Sequence, residues 1–415
     1  MGEDMWKGLL DQLLNGMMVR DRLLVRFPDG DSRHYGPDIG ETVQIAINDP
    51  ATIRALCLHP ELALGEAFMD GSLVLIDTNL DDLLRVLLRN RDAGDMPAWV
   101  VSSDRFRYHL RRIVQRNSPV RARANVAHHY DLSDELYRLF LDTDMQYSCA
   151  YFTDPKMSLE AAQEAKKAHI AAKLCLEPGQ HVLDIGCGWG GLALTLARDY
   201  DVRVTGITLS ENQLRNARTR AEAEGLSDRV QFFLEDYRDT QGIFDRIVSV
   251  GMLEHVGLPN FDTYFTRLHD LLTPDGIALI HAIGRSAPPM PHSAWLNKYI
   301  FPGGYVPSLS EIAGPMERAG LWQSDIEIWR LHYARTLRAW RKRFEANSDK
   351  LREMYDDRFL AMFRYYFAIC IASFEHQAQA VYQFQLARKR DSVPLTRDYL
   401  YRRPSRLPAE HATTS

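Results

Sequence analysis

Cysteine is scarce in this sequence of 415 residues. The five that occur, Cys57, Cys149, Cys175, Cys187 and Cys370, form an odd set with no C-x-x-C pair. That excludes a disulfide framework and a zinc knuckle and fits a reducing cytoplasm. An excess of one charge is missing as well. Fifty Lys and Arg stand against 55 Asp and Glu, a formal net charge of -5, so no global field argues for nucleic acid and an anionic partner must be met by a local patch. No window approaches the roughly 20 apolar residues of a spanning helix. The start, MGEDMWKGLLDQLLNG, has early acidic residues, no apolar leader core and no small-residue cleavage site. A membrane, if this chain meets one, is met from one face.

The length and apolar content allow two domains, each with its own core. The first hundred or so residues read as a mixed α+β unit. LLVRFPDGDSRHYG suggests two short strands around a Pro-Asp-Gly turn, ETVQIAI alternates like another strand, and PATIRALCLHPELALGEAFMDG and NLDDLLRVLLRN are helical. Between Arg105 and Arg123, seven arginines are interleaved with Phe106, Tyr108, Leu110, Ile113 and Val114. This is a solvated helix and linker, or an interfacial element facing anionic headgroups, where each basic residue contributes about 1 kcal/mol. The expected division is an N-terminal lipid- or membrane-associated domain over 1–104, an arginine-rich linker over 105–124, a catalytic domain over 125–392 and a flexible tail over 393–415.

From Pro155 strands and helices alternate: HVLDIG, VRVTGITL, RVQFFLED, FDRIVSVGM and IALIHAIG as strands, with helices between them and FDTYFTRLHDLLTPDG as a helix closed by Pro-Asp-Gly. SDIEIWRL and AVYQFQLARK add two further strands. The alternation predicts an α/β fold with a parallel sheet covered on both faces and a ligand crevice beyond the strand carboxyl ends.

VLDIGCGWGG sets Asp184, Gly186, Gly188, Gly190 and Gly191 at the end of the first of these strands, where glycines let the backbone turn sharply and approach a ligand. The string satisfies G-x-G-x-x-G through Gly186, Gly188 and Gly191, so a dinucleotide site is weighed. That fingerprint needs an acid at the end of the second strand for the ribose. GITLS has none.

A strand ending D-x-G-x-G-x-G resembles the class I S-adenosylmethionine methyltransferases. The strings NVAHHYDLSDELYRLFLDTDMQYSCAYF, VGMLEHVG, LIHAIG, KYIFPGGYVPS, LHYARTLRAW and YYFAICIASFEHQAQAVYQFQL, in this order from about Asn125 to Arg388, resemble the cyclopropane fatty acid synthase family. The resemblance implies a Rossmann-like sheet with helical lid insertions, S-adenosylmethionine as cofactor, and unsaturated phospholipid acyl chains as substrate at the inner face of the cytoplasmic membrane. It assigns Tyr147 and Ser148 to the carboxylate end of the cofactor. Asp184, Gly186, Gly188 and Gly190 form the loop, Thr208, Leu209 and Gln213 in TLSENQ replace the missing acid, and Asp236 and Tyr237 lie near the adenine. It further implies a bound bicarbonate as proton acceptor, with ligands at Cys149, Glu254, His281, the Ile283 backbone and Tyr333, and with Cys370 nearby. A helix from His128 to Phe140 would close over the site.

The reaction explains these residue types. An isolated alkene is a weak nucleophile, and its attack on a sulfonium methyl leaves a carbon cation that water would trap, so the site must be dry, aromatic and equipped with a base. Tyr147, Tyr151, Phe152, Tyr299, Tyr305 and Tyr365 are π faces or ordinary core. Glu254, His255, His128, His129 and His281 could form a metal cluster, but no ligand spacing such as H-E-x-x-H occurs and no metal is expected. Cys149 or Cys370 could be a nucleophile, although FAICIASF reads as a buried apolar helix around an inert thiol. The alternatives are a methyl-branched or methylene product on the same scaffold, a non-catalytic lipid-binding protein, and a small-molecule or nucleic-acid methyltransferase. A homodimer would gain avidity at a bilayer.

Overall fold

The computed structural model of the chain describes residues 2–117 and 133–401. His128, His129, Arg121, Arg123 and the tail beyond 401 lie outside the described residues. In chain order the elements are α1 (Glu3–Met17), β1 (Arg22–Arg26), β2 (Ser32–Tyr35), β3 (Thr42–Ile47), α2 (Pro50–Leu58), α3 (Pro60–Asp70), β4 (Leu73–Ile76), α4 (Leu80–Arg91), α5 (Ala98–Val114), α6 (Asp134–Phe140), α7 (Leu159–Lys173) and β5 (His181–Ile185). They continue with α8 (Gly191–Tyr200), β6 (Arg203–Thr208), α9 (Glu211–Ala223), β7 (Val230–Leu234), β8 (Phe244–Val250), α10 (Leu253–Val256), α11 (Phe261–Leu271), β9 (Leu272–Arg285), α12 (Ala294–Tyr299) and α13 (Leu309–Arg318). Then come β10 (Trp322–Trp329), α14 (His332–Ala346), α15 (Ser348–Met354), α16 (Asp357–His376) and β11 (Gln379–Ala387).

Two compact units do not follow chain order. The first gathers residues 1–114, 290–302 and 333–379; the second gathers 115–289, 303–332 and 380–415. In the first, a four-stranded sheet of order β2-β1-β3-β4 joins β1 antiparallel to β2 and parallel to β3. Val25, Ile45 and Ile47 alternate toward a core with Leu10, Leu13 and Leu83. Helix starts follow their caps. Asp49 accepts the Ala51 N–H ahead of Pro50, and Asn79 accepts the Asp82 N–H. The buried Asn90 fixes the entry to β1. Its Oδ1 accepts from the Val19 and Arg20 amides at 2.9 and 2.7 Å, and its Nδ2 donates to Asp21 at 2.9 Å.

The second unit is built on a seven-stranded sheet of order β10-β11-β9-β8-β5-β6-β7. β5 pairs parallel with β6 and β8, β6 with β7, and β8 with β9, while β10 is antiparallel to β11. Central strands are buried on both faces, which is why they read as unbroken apolar runs: Val182 to Ile185 of β5 are all buried. The reversal from β5–β6 to β5–β8 makes the carboxyl end of β5 the switch point, where an open α/β sheet holds its ligand. One expectation is corrected. Pro274-Asp275-Gly276 does not close the helix, which ends at Leu271; those residues belong to the extended run of β9, where the register with β8 shifts between Phe244 and Arg246.

Candidate active site

The glycine loop leaves β5 at the switch point. Gly186, Gly188 and Gly190 all have positive φ, 80°, 56° and 84°, conformations costly for any other residue type. Gly191 is required for a different reason. A Cβ there would lie 2.5 Å from the Asp144 carboxylate and 2.6 Å from the Gln146 amide. Asp144 cannot yield, because Lys167 donates to it at 2.7 Å and Arg220 pairs with it as well. The loop thus packs against residues 144–149, which carry Tyr147, Ser148 and Cys149.

That segment is held from below by α7. Gln163 Nε2 donates to the carbonyls of Gln146 and Ser148 at 3.2 and 3.0 Å. The fully buried Lys166 donates from Nζ to Gln146 Oε1 at 2.6 Å and Ser148 Oγ at 2.7 Å. Lys166 has three donors and two of them are used by neutral oxygens; burial pushes its pKa down to about 8. Its charge is felt by Asp184, Cys149 and His281, so these groups share one neighbourhood. Asp184 is its complement: Oδ2 is buried without a partner, and burial raises the carboxyl to about 7 against the opposing pull of Lys166.

Above the loop, α6 is tethered by Asp134, which accepts from Trp189 Nε1 at 2.9 Å and from the amides of Asn212 and Asn216, each at 2.7 Å. Tyr137 of α6 packs on Tyr147 and Trp189, with ring centroids 5.3 and 5.2 Å apart. Following β6, Thr208 Oγ1 donates to Gln213 Oε1 at 2.9 Å and Ser210 caps α9. That turns the Gln213 carboxamide so that its NH2 is left to donate. Leu209 lies between them. At the end of β7, both oxygens of Asp236 accept from the Arg238 guanidinium, so its carboxylate is committed to a local ion pair. The adjacent Tyr237 is buried against Tyr264 and its hydroxyl is raised to about 12 by burial.

Glu254, His281 and Ile283 meet at the carboxyl ends of β8 and β9. Glu254 on α10 accepts the Ile283 N–H at 2.6 Å through Oε1, while Oε2 is buried without a partner. Burial raises this carboxyl to about 7, offset in part by the Ile283 amide. His281, two residues before Ile283, points to the same side of its strand. Its Nδ1 lies 3.2 Å from Gln383 Nε2, an amide nitrogen whose donation there would place the ring proton on Nε2, and that ring nitrogen is buried without a partner among the described residues. Trp329 stands edge-on to the ring at 5.0 Å. Burial holds His281 well below its ordinary pKa and therefore neutral. Among the described residues, the buried acceptor Glu254 Oε2 and the buried ring nitrogen His281 Nε2 thus have no partner.

The remaining expected residues have neighbours of their own. Tyr151 stacks between His169 and His332, at 4.6 and 5.0 Å. Phe152 also stacks on His332, at 6.4 Å. Tyr305 donates to Glu311. Tyr333 and Cys370 belong to the first unit, as do Tyr299 and Tyr365. There Tyr333 packs against Phe374 and Trp340, and burial raises the Cys370 thiol to about 12, which keeps it protonated and inert.

A family model described as mycolic acid cyclopropane synthetase matches residues 117–384. The chain belongs to that family. It is an S-adenosylmethionine-dependent methyltransferase. This cyclopropane synthetase family member is similar to the cyclopropane-fatty-acyl-phospholipid synthase of Escherichia coli K12, at 40% identity over 83% of this chain and 87% of that one. A probable fatty acid methyltransferase of Pseudomonas putida is 36% identical over 92% of this chain and 96% of its own. A solved cyclopropane synthase from Mycobacterium tuberculosis superposes with a TM-score of 0.60 at 33% identity, covering 64% of this chain and 98% of that one. Residues 9–94 match a second family model, a domain of unknown function.

Lys166, Gln163 and Gln383 are the site residues that sequence reasoning missed in this family member. The signal for the first two was a helix, EAAQEAKKAHIAAK, whose inward 3–4 spacing carries Gln163, Lys166, Lys167 and Lys173, all buried beside Ala162 and Ile170. Asp184 supplies a check by pH. Its carboxyl keeps its proton in the folded state, so the associated stability is fully present below the unfolded value near 3.8 and is lost as pH rises through about 7. The gap corresponds to on the order of 4 kcal/mol. Relative to the wild type, ligand-free Asp184→Asn should therefore gain thermal stability as pH is raised from 4 to 8. A difference in melting temperature independent of pH would show that Asp184 does not titrate in this window.

Proposed function

We propose that this chain transfers a methylene from S-adenosylmethionine across a cis double bond of an unsaturated phospholipid acyl chain. The observation that carries the reading is two buried polar atoms without a partner among the described residues, Glu254 Oε2 just after β8 and His281 Nε2 near the end of the neighbouring β9. S-adenosylmethionine, when bound, supplies the electrophilic methyl. The glycine loop would take its backbone, Gln213 its ribose, and the buried pair Lys166 and Asp184 its zwitterionic end. The third N–H of Lys166 suits the carboxylate, and the unpartnered Asp184 Oδ2 suits the ammonium.

Methyl transfer to the alkene would form a C–C bond as the sulfonium S–CH3 bond breaks and S-adenosylhomocysteine leaves, placing the cation on the acyl chain; loss of one proton from the new methyl to the base would then close the ring. Burial lowers the basicity of His281, and Glu254, raised to about 7 by burial, already holds the Ile283 N–H through one oxygen. The residues fit a small hydrogen-bonding anion. His281 Nε2 donates to one oxygen, and Glu254 Oε2 accepts a hydroxyl proton, which makes a carboxylate beside an anion tolerable. Bicarbonate held there by His281 and Glu254, with Cys149 nearby, would supply the base. The dry, aromatic walls made by Tyr137, Tyr147 and Trp189 keep water from the cation.

Membrane contact is supported by α5, which carries exposed Val101, Phe106, Ile113 and Val114 together with Arg105, Arg107, Arg111 and Arg112. No helix among the described residues is long and apolar enough to cross a membrane. A second reading, a methyl-branched product, is favoured by the similarity to the Pseudomonas putida protein. One assay separates them. With trideuterated-methyl S-adenosylmethionine and vesicles of cis-unsaturated phospholipid, ring closure retains two deuterons and gives upfield ring protons. Three retained deuterons would replace the ring-forming reading with methyl branching, and no incorporation despite cofactor binding would leave a lipid-binding protein.

A further inference from the structure

The first unit contains a cavity of about 230 Å³ that none of the residues discussed for catalysis or for the glycine loop lines, apart from the proposed π face Tyr365. Its walls come from α1, the β1 and β3 face, α4 and α5, with Leu10, Leu14, Val25, Ile45, Leu87 and Trp99 among them. Folded cores rarely leave voids larger than a water molecule, so a space of this size inside one compact unit needs an occupant. Apolar walls hold water poorly. An engineered cavity in another protein of about 150 Å³ stays dry and takes up benzene; by proportion this one accommodates roughly nine carbons. Leu87 and Trp99 are only partly buried although they pack against the unit's core, as expected for residues facing an unfilled channel rather than packed neighbours.

The mouth has a sign. Arg91 and Arg107 both line the cavity, and they share one carboxylate, Asp104, at 3.5 and 3.4 Å. Arg107 also donates to the His292 carbonyl at 2.8 Å. Two half-exposed guanidiniums on one acid leave a positive rim. The other acid of the lining, Glu61, stands near Tyr365 of α16. An apolar tube with a cationic mouth matches one ligand chemistry: a hydrocarbon chain bearing an anionic head.

We propose that the first unit binds an acyl chain with an anionic head, its tail in the Leu10–Leu87 cavity and its carboxylate or phosphate at Arg91 and Arg107. This gives a ligand class to the segment 9–94 that the domain of unknown function covers. The proposal does not depend on the reaction assigned above, because it is read without S-adenosylmethionine. The test uses the full chain and the fluorescent fatty acid cis-parinaric acid. Leu87→Trp fills the cavity and should weaken one class of bound probe at least about tenfold, the loss expected from denying several methylenes their burial, with an unchanged or raised melting temperature. Arg91→Gln, with its melting temperature measured alongside, should weaken the carboxylate probe about tenfold while leaving competition by neutral oleyl alcohol unaltered.

Sedimentation with phosphatidylglycerol vesicles separates the two sources of the head. If Leu87→Trp loses sedimentation relative to the wild type the occupant is a membrane phospholipid; if only the free acid is lost it is a fatty acid. Unchanged probe affinity and stoichiometry in folded Leu87→Trp would overturn the proposal. Equal weakening of acid and alcohol by Arg91→Gln would overturn the anionic-head assignment.

Discussion

Glu254→Gln should lower turnover by about 10²- to 10⁴-fold while S-adenosylmethionine affinity stays nearly unchanged. The substitution keeps the shape of the side chain and leaves an amide oxygen to accept the Ile283 N–H, so the local backbone is held as before. What it removes is the second oxygen. In place of the unpartnered acceptor Oε2 it puts an NH2; a donor then faces the position that an acceptor faced. An anion carrying a proton could still accept there, but its own hydroxyl would have no acceptor. The wild-type rate should rise with pH through about 7, as the buried carboxyl ionises, and this limb should be absent in the variant. Equal losses of turnover and cofactor affinity would instead make Glu254 a cofactor ligand.

The parts of this fold that the sequence made legible are those where one residue type answers one physical demand. Three glycines with positive φ in VLDIGCGWGG could be read because no other residue adopts that backbone cheaply. The central strands could be read because burial on both faces leaves continuous apolar runs. The four residues of β4 and the first helix α1 carry no comparable signature, and the Pro-Asp-Gly of β9 imitated a helix stop because such a triplet serves equally in an irregular extended run.

The site divides the same way. Glu254 and Ile283 are 29 positions apart, yet joined by one hydrogen bond; nothing in their spacing announces it, and only the resemblance of LEHVG and IHAIG to a family brought them together beforehand. Asp236 shows the opposite case. A residue flagged by that resemblance pairs through both carboxylate oxygens with Arg238 two positions away, a local contact that the resemblance did not announce. Lys166 was illegible because a lysine on a helix ordinarily faces water, and only the inward phase of α7, set by Ala162 and Ile170, turns it inside.

That buried ammonium has the second large expected effect. A lysine taken fully out of water costs free energy that two neutral acceptors, Gln146 and Ser148, and the neighbouring charges of Asp142 and Asp144 repay only in part. Such a charge persists where a ligand anion completes it, and the nearby Asp184, held protonated by burial, waits for the matching cation. Binding a zwitterion then satisfies both at once. Lys166→Met should weaken both S-adenosylmethionine and S-adenosylhomocysteine by about 30-fold or more, the loss for removing one partner of a buried charge pair. Methylthioadenosine, which has the nucleoside and sulfur but no amino-acid end, should bind the variant as it binds the wild type. Isothermal titration of the three ligands decides it. A residue that merely braced the 144–149 segment would weaken all three alike, since Ser148, Cys149 and the glycine loop would shift together, whereas a counter-charge for the carboxylate weakens only the two ligands that carry one.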